Sequence, residues 1–322
     1  MSNGLAGEFA MIARHFRPLA GSGALELGDD AAVFDPPPGL RMVAAADAIV
    51  AGVHFLPDDP PDLVGRKLLR VNLSDLAAMG ATPYGYLMTV SLPRATPEAW
   101  LAGFAAGLAA DQAEFGLHLL GGDTTRTPGP ISLSLTILGT VEPGRELRRA
   151  GALAGDGLWV SGTIGDGALG LLAAQGRLAD PGGALADRYR LPRPRVALGR
   201  RLAGIAHAVM DVSDGLVQDA AHLCRAGGVG ATIEAALVPA SDGAIAAGPE
   251  WLATRLTGGD DYELLMAVPD RYTAELAQIG REVGVPLTRI GRVVGAGAVV
   301  VTSDGSELRL PSGWDHFGPG RT

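Results

Sequence analysis

The chain has 322 residues, 47% of them hydrophobic and 19% charged, enough for two folded domains with sizeable cores. Its 35 acidic and 26 basic residues give a formal net charge of -9. That balance disfavours nonspecific nucleic-acid binding, which depends on basic surface, and suits a protein that binds cations, or anions escorted by cations.

The N-terminal "MSNGLAGEFAMIARHFRP" lacks the basic segment and apolar core of a secretory signal. No apolar run reaches the ~18 to 20 residues of a membrane span. The expected location is therefore the cytoplasm, with no membrane partner. "ELGDDAAVF", 26–34, sets Asp29 and Asp30 in a turn before an apolar run. Residues 41–50, "RMVAAADAIV", read as a strand interrupted by Asp47. Residues 62–79 read as a helix with Asp62 as cap and Gly80 as terminator. This helix carries Lys67, the only lysine in the chain. With no G-x-x-x-x-G-K-[ST] and no V-A-I-K lysine, P-loop and ordinary protein-kinase chemistry are excluded. Metal ions, arginines and backbone amides would have to neutralise any bound phosphate.

Residues 97–115 read as a second helix, with Thr96 as cap, Pro97 at its first position and Gly116 as terminator. "ISLSLTI", 131–137, alternates as a strand with one buried face does. The polar, Gly-rich 141–156 is the expected junction between domains at 1–145 and 146–322. Beyond it, "GLWVSG" reads as a strand and "GDGALGLLAAQG" as a turn feeding a helix. "RYRLPRPRVALGRRL" reads as a basic connector entering a helix. "GGVGATIEAAL" reads as a turn and strand, and "RLTGGDDYELLMAVP" as a loop entering a strand. Glycines before a helix in "SGTIGDGALG" suggest a phosphate loop, but a plain turn and helix start is the preferred reading. Both halves thus mix strands and helices, which predicts two α/β (α+β) domains. The single Cys224 excludes an intrachain disulfide and agrees with a reducing compartment.

Many aspartates stand where an apolar segment meets a Gly or Ser turn: Asp29 and Asp30, Asp47, Asp75, Asp123, Asp211 and Asp214, Asp260 and Asp261. Taken singly, each reads more often as a cap or turn residue than as a ligand. Asp75 follows Val64, Leu68 and Val71 at helical spacing, which places it on an apolar face near Asn72. Two carboxylates ~4 Å apart repel by roughly 4 kcal/mol at an effective dielectric of about 20. Converging acids would protonate or separate unless cations joined them, and oxygen-only ligands suit Mg²⁺. One cysteine and scattered histidines give no zinc spacing.

"LGDDAAVF", "DAIVAGVHF", "VNLSDLAAMGATP", "GGDTTR", "MDVSDGL" and "GGDDYEL", in this order, resemble the thiamine-monophosphate kinases of the aminoimidazole ribonucleotide synthetase superfamily. The resemblance runs from Gly7-Glu8-Phe9 to "GWDHF" at 313–317. It implies a two-domain fold of that superfamily, a homodimer whose N-terminal sheets pair, and ATP in a cleft between domains. It implies phosphorylation of thiamine monophosphate by ATP without a phospho-enzyme, with several Mg²⁺ ions and a possible K⁺. It implies Asp30, Asp47, Asp75, Asp123, Asp211 and Asp214 as Mg²⁺ ligands. Gly122, Asp123, Arg149 and Ser213 would contact ATP, while His54, Asp260 and Trp314 would contact the acceptor. No residue is implied as a catalytic acid or base.

Two departures stand out. Ala45 and Ala46 occupy positions where the family has metal-binding hydroxyls before Asp47. Asp260 replaces the more usual Glu and has a shorter reach. A different small acceptor within the superfamily, or a catalytically silent nucleotide-binding homologue, are the alternatives.

Overall fold

A computed structural model of the chain describes residues 7–311 and 313. The chain divides into two units. The first holds the described residues up to Leu76 together with Ala81–Gly144, and the second holds Ala77–Gly80 and the described residues from Arg145 onward.

In the first unit, α1 (Glu8–Met11) passes into a π-helical turn at Ile12–Phe16. There follow β1 (Arg41–Val50), α2 (Pro61–Ala78), β2 (Thr82–Leu92), α3 (Glu98–Phe115), β3 (His118–Arg126) and β4 (Ser132–Val141). The four strands form one sheet in the order β1-β4-β2-β3, with only the β2–β3 pair parallel. Along β4, the inward Leu133, Leu135 and Ile137 are fully buried and alternate with half-buried polar residues, as expected from the sequence. Leu76 of α2 packs over Gly139, where a Cβ would lie 2.9 Å from its Cδ2, so α2 covers the same face as Leu135 and Ile137. The two helices meet backbone to backbone, since a Cβ on Gly107 would stand 1.9 Å from the Asp62 carbonyl oxygen. Only glycine fits there.

Three local expectations are corrected. β1 runs unbroken through Asp47, which pairs with Leu135, because on this edge strand the carboxylate stays exposed to water. α2 begins at Pro61, so Asp62 lies inside the first turn, where it favours the helix N-terminus by charge. For α3 the cap position is Pro97 and no side chain caps it; Thr96 is buried one residue earlier. Gly116 does close α3 in the left-handed conformation, at φ 71°.

The second unit contains β5 (Gly157–Ser161), α4 (Asp166–Ala174), α5 (Ala184–Arg190), α6 (Val196–Gly199), β6 (Ala208–Val212), α7 (Leu216–Gly227) and β7 (Gly230–Glu234). It continues with α8 (Asp242–Ala247), α9 (Leu252–Thr257), β8 (Glu263–Val268), α10 (Thr273–Val283), β9 (Leu287–Val294), β10 (Val299–Ser303) and β11 (Ser306–Glu307). Its seven strands run in the order β11-β10-β7-β9-β5-β8-β6, and only β10 and β7 pair in parallel. β5, β6 and β8 are buried at every position, which explains their continuous apolar runs. Leu216, Ala220, Leu223 and Cys224 of α7 join the core against that sheet. The basic connector differs from expectation: Arg188–Arg190 close α5, and the helix after it spans only four residues.

Candidate active site

Asp30 lies on the segment after the N-terminal helical turns, and Asp29 Oδ1 accepts its amide at 2.9 Å. Asp29 thus shapes the turn that presents Asp30, and both residues are exposed. A cavity of about 470 Å³ in the first unit is lined by Asp29, Asp30, Gly122 and Asp123, together with apolar residues including Ile12, Phe34 and Leu87. Gly122 belongs to β3, where a Cβ would fall 1.8 Å from the Met88 carbonyl oxygen. The strand can approach β2 this closely only without a side chain.

Asp47 and Asp75 form a second group. Asn72, fully buried on α2, accepts the Asp47 amide at 3.1 Å and donates to the Leu68 carbonyl at 2.9 Å. Asp75 is half-buried three residues further along the same helix face. His54 stands in the turn after β1, where its Nδ1 accepts the Val50 amide at 3.1 Å. That bond leaves Nδ1 without a proton and places the ring hydrogen on Nε2.

The register separates these groups. Asp47 pairs with Leu135, Leu135 with Met88, and Met88 with Gly122, so β1 and β3 are opposite edges. Three strand spacings put the backbones of β1 and β3 about 14 Å apart. Within this unit, Asn72 ties Asp47 to the helix that carries Asp75, and the cavity brings Asp30 and Asp123 together.

In the second unit, β6 ends at Asp211 and Val212, and Ser213, Asp214 and Gly215 lead into α7. Asp219, in the first turn of α7, accepts the amides of Ser213, Asp214 and Gly215 on Oδ2 at 3.0, 3.0 and 3.1 Å. Burial pushes the Asp219 carboxyl up to about 8, and the charges of Asp211 and Asp214 add to the shift. Asp214, Asp219 and His222 each present a ligand atom within 4.8 Å of the others. Asp211, Asp214 and Asp219 repel one another within this turn, and their carboxylate oxygens are donors that fit Mg²⁺. Arg149 is exposed and follows Arg148, whose carbonyl accepts the Val209 amide at 2.9 Å beside β6.

Asp260 is brought to the same loops. Its amide donates to the Ser213 carbonyl at 2.9 Å, and its Oδ1 accepts the Tyr262 hydroxyl at 2.9 Å. Asp211, Ser213, Asp214 and Asp260 therefore share one end of the β6–β8 pair. The second predicted acid of "GGDD", Asp261, is fully buried and points away into the unit. It accepts the Gly165 amide at 2.8 Å and the Gly167 amide at 3.0 Å. The N-terminus of α4 is thus filled by the chain's own carboxylate, which favours the turn reading of "SGTIGDGALG" over a phosphate loop. Glu263, also fully buried, is held by Arg188, Arg195 and Ser161.

Trp314 lies outside the described residues. Lys67 is buried, so the one lysine is structural. Sequence reasoning missed Asp219, Asp261 and Glu263 as organising groups. The available signal for Asp219 was an acid in the first helical turn after "SDG", where exposed amides face it.

Family models match both units: AIR synthase related protein, N-terminal domain, over residues 28–141, and the C-terminal domain over 154–304. A thiamine-monophosphate kinase of Caulobacter vibrioides is 45% identical over 96% of this chain and 90% of its own length. The crystal structure of thiamine-monophosphate kinase from Stenotrophomonas maltophilia K279a superposes with a TM-score of 0.80 at 41% identity, over 88% of this chain and 91% of that one. AaThiL complexed with AMPPCP and TMP superposes with a TM-score of 0.76 at 31% identity, over 90% and 91% of the two chains.

Proposed function

The chain belongs to the thiamine-monophosphate kinase family of AIR synthase related proteins, and from that premise we propose that it carries the γ-phosphoryl group of ATP directly to thiamine monophosphate, giving ADP and thiamine diphosphate. The relative that binds AMPPCP and TMP supports the pairing of substrates. The observation that carries the reading is the grouping of aspartates at loop ends in a chain whose single lysine is buried. Such a protein manages phosphate charge through cations.

In this reading Asp30, Asp47, Asp75 and Asp123 of residues 1–145, with Asp211 and Asp214 of residues 146–322, hold several Mg²⁺ ions. When bound, these ions supply the charge neutralisation that lets two polyanions approach. Gly122, Asp123, Arg149 and Ser213 contact ATP. The Ser213 amide is committed to Asp219 and its carbonyl to Asp260, so its hydroxyl is the group left for the nucleotide. His54, Asp260 and Trp314 receive the acceptor.

Positioning suffices for this chemistry. A phosphate monoester has a second pKa of ~6 and is already nucleophilic at neutral pH, so no side chain is needed as a strong base. A homodimer and a cytoplasmic location belong to the same proposal. β1 is a ten-residue edge strand, and Met42 on it is exposed. An unpaired apolar edge favours pairing with a second copy. Among the described residues no helix is long and apolar enough to cross a membrane.

The test is an acceptor panel in a coupled ADP-release assay over a wide Mg²⁺ range. Turnover with thiamine monophosphate, and little with ribonucleotide acceptors, is expected. Turnover only with another acceptor would move the chain elsewhere in the superfamily, and ATP binding without turnover would mark a silent homologue.

A further inference from the structure

We propose that Asp261 is a positioning residue for the acceptor site: the two oxygens of its side chain tie the loop that carries Asp260 to the N-terminus of α4, and so set where the Asp260 carboxylate stands. The inference rests on the reading of Asp260 as a contact of thiamine monophosphate.

The backbone on either side of Asp261 is unusual. Asp260 and Tyr262 both have left-handed backbones, at φ 69° and 52°. For a non-glycine residue, and above all for a bulky tyrosine, this conformation is unfavourable and persists only where the surroundings over-determine it. Here they do so from two sides. On one side the Asp260 amide bonds Ser213 and the Tyr262 amide bonds the Val212 carbonyl at 2.8 Å. On the other, both carboxylate oxygens of Asp261 are held by α4 amides, Oδ2 by Gly165 and Oδ1 by Gly167. Arg188 Nη2 adds a bond to the Asp261 carbonyl at 3.2 Å.

Packing leaves the loop no alternative path. A Cβ on Gly167 would stand 2.2 Å from the Asp260 carbonyl oxygen, and one on Gly259 would stand 2.2 Å from that of Ser213. The loop is pressed between the start of α4 and the turn before α7. Asp261 itself has no exposed surface, so it reaches no ligand and acts only through its neighbours. Within this frame the Tyr262 hydroxyl orients the Asp260 carboxylate. Two acceptor oxygens are required at 261 because two N–H groups must be accepted at once. An amide would turn an NH₂ toward one of them.

The test combines steady-state kinetics with hydrogen exchange on the full chain, comparing wild type with Asp261→Asn, Gly167→Ala, Asp260→Ala and the core control Leu276→Ala. For Asp261→Asn the KM for thiamine monophosphate should rise about tenfold or more, because small displacements of positioning groups are costly. The KM for ATP should stay within about twofold. Exchange protection across 258–262 should fall about tenfold as the loop loosens. Gly167→Ala keeps Asp261 but drives a methyl against the Asp260 carbonyl; it should give the same KM signature and serves if Asp261→Asn does not fold. Leu276→Ala should lose thermal stability with both KM values unchanged. The proposal is overturned if Asp261→Asn only loses thermal stability, if both KM values rise together, or if protection of 258–262 is unchanged. Failure of the Asp260 reading shows separately, as Asp260→Ala with a wild-type KM for thiamine monophosphate. Failure of the Asp261 proposal shows as a damaged Asp260→Ala beside an intact Asp261→Asn.

Discussion

Asn72 accepts the backbone amide of Asp47 on its Oδ1 at 3.1 Å, fastening α2 to the edge strand that carries a proposed metal ligand. Its Nδ2 is spent on the Leu68 carbonyl, so the buried side chain is satisfied at both ends. Asn72→Leu keeps the volume and strands the Asp47 amide. The Asp47 amide is only part-buried, so losing its partner costs toward the low end of about 1–3 kcal/mol. The expected outcome is a lower unfolding midpoint and a higher Mg²⁺ concentration for half-maximal activity. Unchanged Mg²⁺ dependence would detach Asp47 from the metal set.

Asp75 and Asp29 make a sharper pair for mutagenesis. Asp29 is exposed, and an asparagine there retains the oxygen that accepts the Asp30 amide. Asp29→Asn should stay within about threefold of wild-type activity. Asp75→Asn removes a proposed anionic ligand, and a loss of several kcal/mol in transition-state stabilisation corresponds to roughly 100-fold or more in rate. Initial rates at saturating Mg²⁺ decide between them, and equal losses would contradict the assignment.

Buried Asp261 also predicts a pH dependence of stability. Burial pushes its carboxyl up to about 8, against the opposing pull of the Gly167 and Gly165 amides and of Arg188; Asp166 adds to the rise. In the unfolded chain the group titrates at an ordinary value near 4. The folded state therefore holds the extra proton between these values, and this contribution to stability is complete below about pH 4 and lost as pH rises through about 8. Asp261→Asn lacks that dependence. The wild-type stability, measured by chemical denaturation relative to this variant, should fall from about pH 5 to about pH 8. A rise over the same range would contradict the direction given.

A purely structural ion network lies between α2 and α3. Asp111 has no exposed surface and accepts Arg70 Nε at 2.7 Å, Arg70 Nη2 at 2.9 Å and Arg66 Nε at 2.8 Å. Breaking a buried pair by removing one partner costs about 3–5 kcal/mol. Arg70→Met should lower the thermal midpoint markedly while the KM values at lower temperature stay unchanged. An unaffected midpoint would show that Arg66 alone compensates Asp111.

The sequence made the alternation of β4, the stripe through Val64, Leu68 and Val71, and the glycine stop after α3 readable, because each depends on local periodicity or backbone freedom. The order of the aspartate motifs pointed to the family for the same reason: their spacing is a property of the chain. What stayed hidden depended on pairings distant in sequence. Asp47 looked like a strand breaker because nothing local shows that β1 is an edge with water beside it. Asp261 and Glu263 looked like continuations of "GGDD" and the following strand. Their partners, Gly165, Gly167, Arg188 and Arg195, lie more than sixty residues away. Thr96 looked like a cap because its residue type suits one, but Pro97 takes the position with its extended backbone.

The central claim is a direct, cation-dependent transfer organised by the aspartates. It is tested most directly by incubating the protein with γ-labelled ATP, thiamine monophosphate and Mg²⁺, and following the label into nucleotide, thiamine and protein fractions. The account predicts label in thiamine diphosphate, none retained on the protein, and complete loss of transfer when a chelator removes the divalent cation. Label on the protein, transfer that survives the chelator, or release only as inorganic phosphate would contradict it.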